Sequence, residues 1–161
     1  VLPCDPEVQM RRESNIAIGQ NAGKDDLIRS GNQHSALDRK TVLVVEDISS
    51  NYLLISAMLS KHYNLLHAVN GEQAVAMVKE YKIDLLLMDM KMPVMDGLTA
   101  TAEIRKFDTN IPIVALTAHA FESDKVAALK SGCNDYLVKP VDKARLMSVL
   151  RKYCHPSTLV L

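Results

Sequence analysis

The chain has 161 residues, 48% hydrophobic and 24% charged, which is the mixture of one globular domain with a tail and excludes a disordered or fibrous chain. Nineteen basic and nineteen acidic side chains cancel at pH 7. A small binder of DNA or RNA carries a basic surplus that neutralises phosphates, so no directly bound nucleic acid is expected. No apolar run approaches the ~18 residues that would span a bilayer, and no membrane contact is expected of this fragment. Cys4, Cys133 and Cys154 are odd in number and far apart. They lack the spacing of a disulfide framework or a zinc site and read as reduced, cytosolic thiols.

The first 40 residues contain no Phe, Trp or Tyr, and Gly19, Gly23, Gly31, Asn15, Asn21 and Asn32 interrupt any periodicity. Such a segment buries too little apolar surface to offset its ordering entropy, so 5–39 reads as a largely unstructured linker. From Thr41 onwards short apolar runs alternate with amphipathic stretches, the pattern of a parallel sheet covered by helices. Strands are expected at Val42–Val45, Asn64–Ala68, Asp84–Met88, Ile113–Leu116 and Asp135–Val138. The unbroken apolarity of Leu85–Met88 and Ile113–Leu116 suits strands buried on both faces. Helical faces are expected at Leu54, Ala57, Met58 and Lys61, then at Ala74, Val75, Val78 and Tyr81. Three more follow: Ala100, Ile104 and Phe107; Val126, Ala127 and Leu129, closed by Gly132; and Leu146, Val149, Leu150 and Tyr153. Five strands and five helices make a doubly wound α/β domain.

In such domains ligands bind outside the carboxyl ends of the strands, where the strand order reverses. The first strand exits into Glu46 and Asp47, the third into Asp89, the fourth into Thr117 and Ala118, the fifth into Lys139 and Pro140. The second exits into Val69 and Asn70, which offer no chemistry. Three carboxylates at one sheet edge repel each other unless a cation sits among them. An all-oxygen donor set points to a hard cation, and Mg2+ suits a few carboxylates completed by water and a phosphoryl oxygen. Lys139 adds a point charge and Thr117 a hydroxyl, so the set is equipped for phosphoryl transfer to Asp. His34, His62, His67 and His155 lack metal-ligand spacing and receive no role.

These residues resemble the receiver domain of response regulators in two-component signalling. The matching stretches are Val44-Val45-Glu46-Asp47, Met88 to Gly97 (MDMKMPVMDG), Leu116-Thr117-Ala118 and Tyr136-Leu137-Val138-Lys139-Pro140. The resemblance implies a flavodoxin-like fold with five parallel strands in the order 2-1-3-4-5. It implies Asp89 as phosphoacceptor for a phosphohistidine on a histidine kinase or histidine phosphotransfer domain. Mg2+, for which Mn2+ can substitute, would be held by Glu46, Asp47, Asp89 and the backbone carbonyl of Lys91. Lys139 would pair with Asp89 and then with the phosphoryl group. Thr117 would swing to the phosphoryl oxygens beside small Ala118, and Tyr136 would rotate inward behind it. That movement would remodel the face of the fourth helix, fifth strand and fifth helix, through which a homodimer can form. A cis Lys139–Pro140 bond is expected, a geometry open to X-Pro bonds. Lys91 and His119 occupy positions that tune the lifetime of the phosphorylated form.

The start, Val1-Leu2-Pro3-Cys4, is similar to the closing strand of a sensor kinase ATP-binding domain. With the 5–39 linker, a receiver at 40–154 and a tail at 155–161, the layout is that of a hybrid sensor histidine kinase. The fragment itself would be a phosphoacceptor and not an ATP-using kinase, on the cytoplasmic side of a parent anchored in the inner membrane. A free-standing receiver shares every one of these features. A hydrolase of the haloacid-dehalogenase type needs an Asp where Lys91 stands, and a flavodoxin-type cofactor binder needs a phosphate loop where Glu46 and Asp47 stand.

Overall fold

The computed structural model describes residues 39–155. The expected terminal strand, all of the linker but its last residue, and the tail beyond His155 lie outside them. Five strands, β1 (Thr41–Val45), β2 (Asn64–Ala68), β3 (Leu85–Asp89), β4 (Ile113–Thr117) and β5 (Asp135–Val138), alternate with five helices. These are α1 (Ser49–Leu59), α2 (Gly71–Glu80), α3 (Gly97–Arg105), α4 (Glu122–Ser131) and α5 (Lys143–Cys154). All strand pairs are parallel, in the order β2-β1-β3-β4-β5. The sheet is flavodoxin-like in topology, and the chain order reverses between β1 and β3.

β3 and β4 are buried along their whole length, which is why their sequences are apolar without alternation. On one face Val42, Val44, Leu85, Leu87, Val114 and Leu116 pack against Tyr52, Ile55 and Leu59 of α1 and Leu146, Leu150 and Cys154 of α5. The alternate residues, Leu43, Val45, Leu86 and Met88, are equally buried and face the other side. There α2, α3 and α4 lie side by side. Each fully buried aliphatic side chain contributes roughly 1.5–3 kcal/mol, so the two-sided core holds the strand ends in fixed register.

Local chemistry sets the helix starts. The Asn70 side chain accepts from the Gln73 N–H while Gln73 Oε1 accepts from the Val69 N–H, a reciprocal capping box. Asp96 and Asp142 cap α3 and α5 with one bond each, their side chains accepting from the Thr99 and Arg145 N–H groups. Gly132 ends α4 in the left-handed conformation at φ 115°.

Three expected helix faces are corrected. In α1 the buried residues are Tyr52, Ile55 and Leu59, whereas Leu54 is half exposed and Lys61 lies past the helix end. The segment is apolar on all sides, so spacing alone admits two registers, and the sheet selects the one that carries Tyr52. In α4 the only buried residue is Ala128, while Val126 and Leu129 are exposed. Phe107, expected on α3, lies beyond its end and is exposed. Strand limits differ by one residue, with Asp84 outside β3 and its carboxylate accepting from the Thr41 N–H.

Cys133 and Cys154 are free and buried. Burial, then the charge of Asp84, pushes the Cys154 thiol up to about 11. The folded protein therefore holds this proton more tightly than the unfolded chain does. The resulting stability is complete below the ordinary thiol value and is lost as pH rises towards 11. Denaturant melts from pH 8 to 11 should show wild type losing stability more steeply than Cys154→Ala, by on the order of 2 kcal/mol across the range.

Candidate functional site

The site lies at the carboxyl ends of β1 and β3, on either side of the reversal in strand order. Glu46 and Asp47 follow β1, and Asp89 is the last residue of β3. One carboxylate oxygen from each lies within 4.8 Å of the others. Lys139, directly after β5, reaches across the sheet edge to place Nζ 2.9 Å from Glu46 Oε2 and 3.1 Å from Asp89 Oδ2. Its peptide bond to Pro140 is cis.

Burial makes these charges consequential. Glu46 is fully buried and Asp89 nearly so. Burial alone would raise the Glu46 carboxyl, but the hydrogen bond and charge of Lys139 outweigh it, helped by the Ile48 N–H and the Asn51 side chain, and hold Glu46 below its ordinary value. Asp89 goes the other way. Burial raises it, and the charge of Glu46 adds to that against the Lys91 N–H and Lys139. Lys139, although half withdrawn from water, is held protonated above its ordinary value by its hydrogen bonds to Glu46 and Asp89.

One oxygen in the group is unmatched. Asp47 Oδ1 is buried without a hydrogen-bond partner, an arrangement that costs about 1–3 kcal/mol unless something binds it. An orphaned carboxylate oxygen beside two other carboxylates fits a hard divalent cation, which takes oxygen ligands of this kind. The donor set contains no His or Cys, which disfavours zinc.

The loop after β3 is built around the acceptor position. The Lys91 N–H donates to Asp89 Oδ1 at 3.1 Å. The Gly97 N–H donates to the Met90 carbonyl, and a Cβ on Gly97 would collide with the Asp89 carbonyl. Between them Val94 sits at φ 71°, the left-handed region that a β-branched residue rarely enters, and is 77% exposed.

The remaining expected residues stand around this centre without all joining it. Thr117 is buried, and its hydroxyl donates to the His119 carbonyl at 3.1 Å. Lys91, Ala118 and His119 are exposed. Tyr136 is partly buried on β5, with Lys125 Nζ of α4 5.0 Å from its ring centroid. Sequence reasoning missed three contributors. Asn51 hydrogen-bonds to Glu46, Gly97, quoted in the matching stretch but given no role there, backs onto Asp89, and His67 Nε2 lies 2.8 Å from the Glu46 carbonyl. The last had no signal in the sequence, because the partner of His67 is a backbone oxygen.

A family model described as the response regulator receiver domain matches residues 42–151. The chain belongs to this family, and with its fold it is a receiver domain of two-component signalling. It is 40% identical over 156 residues to hybrid signal transduction histidine kinase I of Dictyostelium discoideum, covering 86% of this chain and 9% of that protein. It is 42% identical over 118 residues to the sensor histidine kinase GacS of Pseudomonas protegens, covering 70% of this chain and 13% of the kinase. The chain thus spans only a small part of these relatives. Among solved structures, the receiver domain of sensor histidine kinase PA1611 from Pseudomonas aeruginosa PAO1 matches with TM-score 0.68 and 39% identity, over 72% of this chain and 98% of that one. That domain holds a magnesium ion in its active site cleft. The receiver domain of Saccharomyces cerevisiae Ssk1, solved with the histidine phosphotransfer protein Ypd1, matches with TM-score 0.69 and 36% identity over 72% and 89% of the chains.

Three variants test the electrostatics and the strain. Lys139→Met leaves the Glu46 charge buried without its partner and should lower stability at pH 7 in EDTA by on the order of 2 kcal/mol in urea titrations. Adding Glu46→Gln to it should restore most of the loss. Val94→Asn, which enters the left-handed region more readily, should raise stability by about 0.5–1 kcal/mol in the same assay.

Proposed function

We propose that this receiver accepts a phosphoryl group onto Asp89 from a phosphohistidine of a histidine kinase or histidine phosphotransfer domain. The reading is carried by one observation: the Glu46, Asp47 and Asp89 carboxylates cluster, Lys139 pairs with Glu46 and Asp89, and a buried Asp47 oxygen is left without a donor. An Asp89 oxygen attacks phosphorus, the bond from phosphorus to the donor imidazole nitrogen breaks, and that nitrogen leaves with the electron pair. The product is an acyl phosphate.

Glu46, Asp47, Asp89 and the Lys91 backbone carbonyl would hold Mg2+, or Mn2+ in its place, and the ion when bound neutralises charge on the transferring phosphoryl oxygens. Lys139 meets the phosphoryl charge directly. The Thr117 hydroxyl leaves the His119 carbonyl and donates to a phosphoryl oxygen, and the small side chain of Ala118 keeps that approach open. Tyr136 then turns inward behind Thr117, away from Lys125, and the surface of α4, β5 and α5 changes, with homodimerisation as one use of it. A phosphoryl group adds roughly two negative charges and so favours the state in which Thr117 and Lys139 both reach it. Lys91 and His119 flank the approach of water and set how long the acyl phosphate lasts.

The 40–42% identity to receivers within sensor kinases supports a parent of the same kind. In that layout 1–4 closes an ATP-binding domain, 5–39 links it to a receiver at 40–154, and 155–161 forms a tail, all on the cytoplasmic side. Among the described residues no helix is long and apolar enough to cross a membrane.

Incubation with acetyl phosphate and Mg2+ should add the mass of one phosphoryl group, labile to hydroxylamine, and EDTA or Asp89→Ala should abolish the gain. An unchanged mass with Mg2+ present would overturn the assignment of Asp89.

A further inference from the structure

On the proposed reading of the site as a divalent-cation centre, we infer that His67 is a positioning residue for it, acting through the backbone of Glu46. β2 ends at Ala68, and the chain then turns into the cap of α2, where the Val69 N–H is taken by Gln73. The Glu46 N–H still pairs with the Ala68 carbonyl at 3.0 Å. The Glu46 carbonyl, one peptide beyond the end of β1, is instead met by a side chain, His67 Nε2 at 2.8 Å. A carbonyl only accepts, so Nε2 carries the proton and donates.

The consequence follows from peptide planarity. The Glu46 carbonyl and the Asp47 N–H belong to one rigid unit that ends at the Asp47 Cα. Pinning the carbonyl oxygen fixes that plane and the position of the Asp47 Cα, and leaves only the φ torsion of Asp47 to set the direction in which its side chain departs. The Asp47 carboxylate is the one whose Oδ1 lies buried without a partner beside Glu46 and Asp89. Its placement therefore depends on the peptide that His67 holds.

His67 is itself held. Its ring lies against that of Tyr52 with centroids 3.8 Å apart and planes 6° from parallel. Tyr52 is buried on the first turn of α1, where its N–H donates to the Ile48 carbonyl at 3.1 Å. The Glu46 and Ile48 carbonyls are thus held by His67 of β2 and by the Tyr52 N–H of α1, two residues whose rings stack on each other. Rigid support of this kind lets a site hold its ligands near productive geometry before any ion arrives.

The test is Mg2+ affinity of the full chain by calorimetric titration, for wild type, His67→Gln, His67→Phe and His67→Val. Gln keeps an N–H at similar reach; Phe keeps the ring without the donor; Val suits a strand and keeps neither. Phe and Val should weaken Mg2+ binding by about threefold to tenfold. Gln should stay within about twofold of wild type. Thermal unfolding in EDTA identifies any variant that fails to fold, and either Phe or Val alone suffices. Wild-type affinity in the folded donorless variants would overturn the inference while leaving the cation site intact. Equal weakening in Gln, Phe and Val would also overturn it, because the donor would then not be what matters. If wild type itself binds no Mg2+, the reading of the site fails and this inference falls with it.

Discussion

Everything at the carboxyl edge of the sheet is arranged around a repulsion. Glu46, Asp47 and Asp89 each bring a carboxylate oxygen within 4.8 Å of the others, Glu46 and Asp89 are buried, and Lys139 opposes those two. A chain left to itself would separate these charges or protonate one. Burial, and to a lesser degree the charge of Glu46, displaces Asp89 upward, while Lys139 holds Glu46 down. What keeps the carboxylates together is the core beneath, since β1 and β3 are buried on both faces and cannot move apart without opening it. The fold supplies the force, and the site is where that force is felt.

The loop that carries the acceptor position shows the same tension in the backbone. Gly97 must come close to the Asp89 carbonyl, Gly71 must come close to the carbonyls of Met95 and Asp96, and between these contacts Val94 is left in a left-handed conformation. Such strain persists only where the surroundings over-determine the chain. Here a capped helix, a buried strand and two glycine contacts do so. The loop is rigid in the part that faces Asp89 and strained in the part that faces solvent.

Much of this was legible in the residues. Glu46, Asp47, Asp89 and Lys139 each stand at the end of an apolar run, and parallel strands of one sheet bring their ends to a common edge. That inference needs only the strand pattern and the topology, and the described residues place all four together. The side of a helix is harder to read. In α1 the residues Leu53, Leu54, Ile55, Ala57, Met58 and Leu59 leave no polar face to mark the outside, and the buried set turned out to include Tyr52 instead of Leu54. His67 escaped for another reason: its partner is a backbone oxygen, and backbone atoms are the same at every position of a sequence. Thr117 was placed correctly on the chain, but which way its hydroxyl points is a matter of torsion, on which sequence is silent.

α4 has a consequence of its own. It buries Ala128 alone, while the other four helices each bury three or four residues. Free energies of local opening track buried apolar contact, so a helix held by one alanine is the part of the covering layer that separates from the sheet at least cost. It also carries Lys125, which rests on the ring of Tyr136. A bias applied at Tyr136 would therefore meet its least resistance in this helix. The other four helices, each anchored by three or four buried residues, form the frame against which this one is the most loosely fitted.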